Sequence, residues 1–122
     1  MAGERERYQN EITQNVEIAM KTDALSIAQT YVNQVKRAGV PVKEAYLFGS
    51  YAKGKVWEGS DIDICIVSNS FGKNYFSEKQ LLNRLALQTD PRIEPVAYSS
   101  SDFDNKYDAL TDEVKRFGVK VA

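Results

Sequence analysis

The chain has 122 residues, 16 lysines and arginines against 17 aspartates and glutamates, and a formal net charge of -1, which suits one small domain with a single apolar core. Balanced charge without a polybasic block gives no electrostatic basis for tight nonspecific binding to nucleic acid or to an anionic membrane. With no histidine and one cysteine, Cys65, the composition excludes serine-histidine and cysteine-histidine catalysis, the usual zinc sites and an internal disulfide, so any metal must be a hard cation held by oxygen.

Residues 4–20 are strongly polar, with a thin apolar stripe of Tyr8, Ile12, Val16 and Ala19 at helical spacing. The pattern predicts a helix that docks on a partner or only loosely on the rest of the chain. Residues 1–21 are therefore expected as a separate polar helix and 22–122 as the main domain. The polar start, Met1 to Arg7, lacks the apolar core of a signal peptide, and no stretch approaches the roughly 20 apolar residues of a membrane span. The expected compartment is the cytoplasm. From Asp23 to Ala38 the stripe strengthens to Ala24, Leu25, Ala28, Tyr31, Val32 and Val35, with Thr22 as N-cap and Gly39 as stop, which predicts a core helix. Val42 to Phe48 and Asp61 to Val67 read as strands rich in β-branched and aromatic residues. Ser77 with Gln80 forms a capping-box pattern for a helix carrying Leu81, Leu82, Leu85 and Ala86 and stopped by Pro91. A third strand, Arg92 to Tyr98, follows, at an edge or irregular because Pro95 cannot donate to a ladder. Ser101 with Asp104 caps a last predicted helix through Tyr107, Leu110, Val114 and Phe117, ended by Gly118, and Val119 to Val121 reads as a short strand. The sum is an α+β fold: a small mixed β-sheet of three to four strands flanked by helices.

Two stretches carry chemistry. At Gly49-Ser50, where the first strand ends, a glycine lets backbone N–H groups approach a phosphate, Ser50 adds a hydroxyl, and the helix beginning there adds its positive end. In Asp61-Ile62-Asp63-Ile64-Cys65-Ile66-Val67, alternation places Asp61, Asp63 and Cys65 on one face and the isoleucines on the other. Adjacent carboxylates on one face repel; either a divalent cation between them removes that cost, or they are two hydrated acids at a solvent-facing strand end. Magnesium, with octahedral oxygen coordination completed by water or phosphate, suits such a pair. Glu94 on the next strand either supplies a third carboxylate to the same cleft or is a surface acid paired with Arg92 or another base. Lys53 and Lys55 either neutralise a triphosphate or are solvated, and Trp57 either covers the site or packs. Tyr51 is packing or a nucleotide contact, whereas Cys65 reads as a buried small hydrophobe.

Gly49-Ser50-Tyr51-Ala52-Lys53-Gly54, then Ser60-Asp61-Ile62-Asp63 and the later Glu94, resemble the DNA polymerase β-like nucleotidyltransferase superfamily, most closely the minimal nucleotidyltransferases (MNT type) of prokaryotes. The likeness is strongest over Ala45 to Val67. It implies the polymerase β-like fold and transfer of a nucleoside monophosphate, AMP from ATP, to a hydroxyl acceptor with release of pyrophosphate. It further implies that Gly49, Ser50, Lys53 and Ser60 bind the nucleotide, and that Asp61, Asp63 and Glu94 hold two magnesium ions and serve catalysis. Such relatives are often antitoxins encoded beside a helical HEPN-type partner, which some adenylylate on a tyrosine; others form the catalytic part of antibiotic nucleotidyltransferases. The alternative function is an antitoxin-like binding module that neutralises a HEPN-type partner by contact with little or no catalysis. Lys53 stands where arginine is frequent, which keeps the charge and loses bidentate phosphate binding. Acceptor choice is expected to come from a partner or from a second copy of the chain in a homo-oligomer.

Overall fold

The computed structural model describes residues 2–53 and 59–122; Lys55 and Trp57, expected near the site, lie outside the described residues. The first element is one helix, α1 (Ala2–Arg37), where two helices divided at residue 22 were expected. No glycine or proline falls between Gly3 and Gly39, and the Thr22 hydroxyl donates to the Ile18 carbonyl within the helix instead of capping a new one. The expected division at residues 21 and 22 thus falls in mid-helix. The second half of α1 buries Ala24, Ala28, Tyr31, Val32 and Val35. The first half leaves Ile12, Val16 and Ile18 40%, 52% and 63% exposed. Gly39, at φ 97°, ends the helix as expected.

Four strands follow: β1 (Glu44–Phe48), β2 (Ile62–Val67), β3 (Ile93–Tyr98) and β4 (Val119–Lys120), in the order β3-β2-β1-β4. β1 runs antiparallel to β2 and β4, and β2 runs parallel to β3, so the sheet is mixed. The parallel pair needs a crossover, supplied by α3 (Tyr75–Thr89). This helix starts earlier than the Ser77 capping box predicts. Asn74 is the cap, its side chain accepting from the Ser77 N–H, and the Glu78 carboxylate folds back to accept from the N–H groups of Gly72, Lys73 and Asn74. The expected last helix is also divided. A short α4 (Ser100–Phe103) is capped by Ser99, and a separate α5 (Ala109–Phe117) is capped by Asp108, which accepts from the N–H groups of Leu110 and Thr111. Tyr107 lies between the two and is 85% exposed, so it is no part of the buried stripe.

Strand parity divides the core. Ile62, Ile64 and Ile66 face α1 and α3 together with Leu47, Ile93 and Leu82, and the Tyr31 hydroxyl donates to the Leu82 carbonyl at 2.8 Å, tying those helices together. On the opposite face Phe48, Cys65 and Val67 pack with Phe103 and Val114 of α4 and α5. β3 is an edge strand. The carbonyls of Arg92 and Tyr98 accept from β2, so even-numbered residues of β3 bond inward and Pro95 turns its missing N–H outward, where no ladder bond is lost.

The exposure of the first half of α1 gives a direct test against a core position of β2. Ile64→Ala is expected to cost about 2–5 kcal/mol in urea denaturation, whereas Val16→Ala on the exposed half is expected within about 0.5 kcal/mol of wild type. A comparable loss for Val16→Ala would show that the first half of α1 is packed on the domain.

Candidate active site

The site is built where β1 ends. Phe48 is in register with Asp63, and the next residue, Gly49, adopts φ 73°, a conformation that L side chains rarely take. A second constraint falls on the same position: a Cβ at Gly49 would stand 2.2 Å from Oδ2 of Asp63. The Asp63 carboxylate therefore lies against bare backbone at the strand end. The chain then enters α2 (Ser50–Lys53), a single turn closed by the Lys53 N–H donating to the Gly49 carbonyl at 3.1 Å. One turn offers free N–H groups but little of the macrodipole expected from a longer helix.

The predicted carboxylates share this region. Asp63 is in register with Glu94 across the parallel β2–β3 pair, so the two point to the same side of the sheet. Asp61 stands just before β2, exposed, with Ser60 buried beside it. Burial and then the charges of Asp61, Glu94 and Glu113 push the Asp63 carboxyl up to about 6. Arg92 pairs with Asp90 at 2.9 Å and with Asp23 at 3.7 Å rather than with Glu94. Glu94 is exposed.

Two residues depart from the simplest expectation. Tyr51 is 2% exposed and belongs to the core, its hydroxyl 3.5 Å from Nη1 of Arg92, so it packs and is not presented to a nucleotide. The Lys53 ammonium reaches Oε1 of Glu113 at 2.5 Å and sits 5.2 Å from the centre of the Phe117 ring. Glu113 is the participant that sequence reading did not find. Its nearness to the other acids depends on how α5 docks on the sheet, and the surrounding Asp112-Glu113 pattern reads as an ordinary solvated helix face.

Hard oxygen donors on one side of the sheet, one of them raised by burial and then by its acidic neighbours, fit a divalent cation such as magnesium. Among the described residues, no three acidic, cysteine or histidine side chains are gathered closely enough to hold a metal ion. The acids line one face and its rim instead of forming a closed cage. Cys65 is fully buried and free, and burial pushes its thiol up to about 12, which makes it a packing residue as expected.

The sequence pattern of the family described as "Nucleotidyltransferase domain" matches residues 29–118. A protein of Methanocaldococcus jannaschii named "Putative protein adenylyltransferase" is 34% identical over 79 residues, covering 62% of this chain and 74% of that protein. A "putative nucleotidyltransferase" from Sulfolobus solfataricus superposes with a TM-score of 0.64 at 22% identity, over 85% of this chain and 84% of that one. A chain from the complex of tri-AMPylated Shewanella oneidensis HEPN toxin with MNT antitoxin superposes with a TM-score of 0.54 at 20% identity, covering 80% and 71%. The structural likenesses show that the mixed sheet and its helices form the same fold.

Gly49→Ala is expected to destabilise the protein by at least about 1–2 kcal/mol from the left-handed backbone alone, and by less in an Asp63→Ala background, where the carboxylate is gone. Equal losses in both backgrounds in urea denaturation would remove the Asp63 contact as a cause. The raised Asp63 carboxyl has its own signature. Its ordinary value is 3.8 and its folded value about 6, so as pH rises through that window the unfolded chain releases the proton first. Stability falls, and the cost is complete above the folded value. In chelator-treated protein, Asp63→Asn is expected to raise Tm at pH 7.5, with the gain shrinking toward pH 4; a pH-independent gain would contradict the assignment.

Proposed function

The chain belongs to the nucleotidyltransferase domain family and is a nucleotidyltransferase enzyme, and from that premise we propose that it moves AMP from ATP to a hydroxyl acceptor on a protein in a magnesium-dependent reaction. The observation that carries this reading is the approach of Asp63 to Gly49, with Glu94 in register beside it. It sets the acids directly against an open strand-end turn. The adenylyltransferase name of the M. jannaschii relative supports AMP as the transferred group and a protein as the acceptor.

In this reaction the acceptor oxygen attacks the α-phosphorus of ATP, the bond to the β-phosphate bridge breaks, and pyrophosphate leaves with the bridging oxygen. Gly49 and Ser50 bind the leaving phosphates through backbone N–H groups and the Ser50 hydroxyl. Ser60, buried at the entrance to β2, belongs to the same nucleotide-binding set. Asp61, Asp63 and Glu94 are the residues that would hold magnesium, which supplies charge stabilisation at the attacking and leaving oxygens. Glu94, exposed on the edge strand, also accepts the proton of the acceptor hydroxyl.

A second reading is a binding module that neutralises a HEPN-type helical partner by contact. It is favoured by the exposed Ile12, Val16 and Ile18 on the first half of α1 and by the toxin and antitoxin complex among the structural likenesses. A homo-oligomer would cover the Ile12 and Val16 side of α1 as well. No helix among the described residues is long and apolar enough to cross a membrane.

Incubation with ATP labelled at the α-phosphate and magnesium, alone and with the product of the neighbouring reading frame, tests both readings. Labelled protein is expected, with a loss of about 100-fold or more in Asp61→Asn and Asp63→Asn. Absence of transfer with every nucleoside triphosphate, together with undiminished neutralisation of the partner by both variants, would establish the binding module instead.

A further inference from the structure

The contact between α2 and α5 engages Lys53, the lysine at the end of the turn that starts at Gly49. Lys53 closes the single turn that starts at Gly49. Its ammonium is held by two residues one turn apart on α5, Glu113 at 2.5 Å and the Phe117 ring at 5.2 Å. Both charged side chains stay open to water, at 37% and 33% exposure. Such a pair is screened and weak. Phe117 itself is 53% exposed, so the ring does not seal the ammonium away. Lys53 is thus held by a contact that solvent already competes with.

We infer that Glu113 is a positioning residue that keeps the Lys53 ammonium in reserve, and that a polyphosphate is recognised by taking Lys53 over from Glu113. The inference rests on the nucleotidyltransferase reading and deepens it by naming what separates a triphosphate from a monophosphate. A triphosphate presents several negative charges within a few ångströms and outcompetes one exposed carboxylate for the ammonium, whereas a monophosphate presents far fewer and leaves the pair intact. Lysine suits this use better than arginine. Its ammonium is a point charge on a flexible stem that can change partners, where a guanidinium would hold Glu113 through two parallel hydrogen bonds. Glu113 is also among the acids that push the Asp63 carboxyl up, after burial, Asp61 and Glu94.

The test is calorimetric titration with MgATP and with AMP of wild type, Glu113→Gln, Lys53→Met and the double variant, each checked for an unchanged fold by circular dichroism. Glu113→Gln is expected to bind MgATP about 2- to 5-fold more tightly, the scale of an exposed ion pair, with AMP binding unchanged. Lys53→Met is expected to weaken MgATP binding, and adding Glu113→Gln to it is expected to change nothing further. A gain that persists in the Lys53→Met background would mean that Glu113 acts only as a repelling charge, and the inference would fall. An unchanged or weakened affinity in Glu113→Gln would overturn it as well. Either result leaves the nucleotidyltransferase reading standing, because wild type still binds MgATP. If wild type binds no nucleoside triphosphate, both fall together.

Discussion

The Asp63 carboxylate and the backbone of Gly49 approach each other so closely that the rest of the site is arranged around that contact. The β1–β2 register, with Phe48 opposite Asp63, brings the two together, and a side chain at Gly49 would collide with the carboxylate even if the backbone could tolerate one. The contact has a cost. Withdrawn from water and facing Asp61, Glu94 and Glu113, the carboxylate holds its proton until about pH 6. A protein selected only for stability would not keep three acids within electrostatic reach of a half-buried fourth, since replacing an unpaired buried charge by a neutral isostere removes the penalty. The arrangement makes sense when positive charge arrives with a ligand.

The sheet separates that cost from the core by parity. Odd and even residues of β2 face opposite sides, so Ile62, Ile64 and Ile66 anchor α1 and α3 while Cys65 and Val67 pack with Phe103 and Val114 on the side that Asp63 shares. A one-residue slip would exchange the two sets, burying Asp63 among isoleucines, and so the apolar layer that stabilises the domain also fixes where the acids stand. α5 completes the second face only in part. Val114 closes over Cys65 and Val67, and one residue earlier on the same helix Glu113 turns toward Lys53. A single helix therefore joins the packed end of this face to its charged end.

This division explains what was legible in the sequence. The alternation in Asp61 to Val67 and the Gly49-Ser50 break are local patterns, and both strands, their shared acids and the glycine follow from them. The edge position of β3 was legible from Pro95 for the same reason. Helix boundaries were not, because several residues compete to cap and only the packed structure chooses. Thr22 looks like a cap but bonds back into α1. Ser77 is passed over because Asn74 and Glu78 satisfy the free N–H groups first. Tyr107 has helical spacing to Leu110 and Val114, yet Asp108 restarts the chain behind it, a cap visible in the sequence but overlooked in favour of the apolar spacing. Glu113 is a different case. Nothing local marks it, since its partner is sixty residues away, and only the docking of α5 beside α2 gives it meaning.

The edge position of β3 bears on how the site stays open. Glu94 stands exposed on this strand, and leaving the edge uncovered invites another strand to add. Pro95 resolves the conflict. It directly follows Glu94, faces outward, and removes a donor that an incoming strand would need. The outward carbonyls remain, so the edge is blunted without being covered, and the approach to Glu94 is left clear. The proline that makes the sequence look irregular at this point is thus compatible with the acid beside it, and it gives a physical reason for the two residues to stand together.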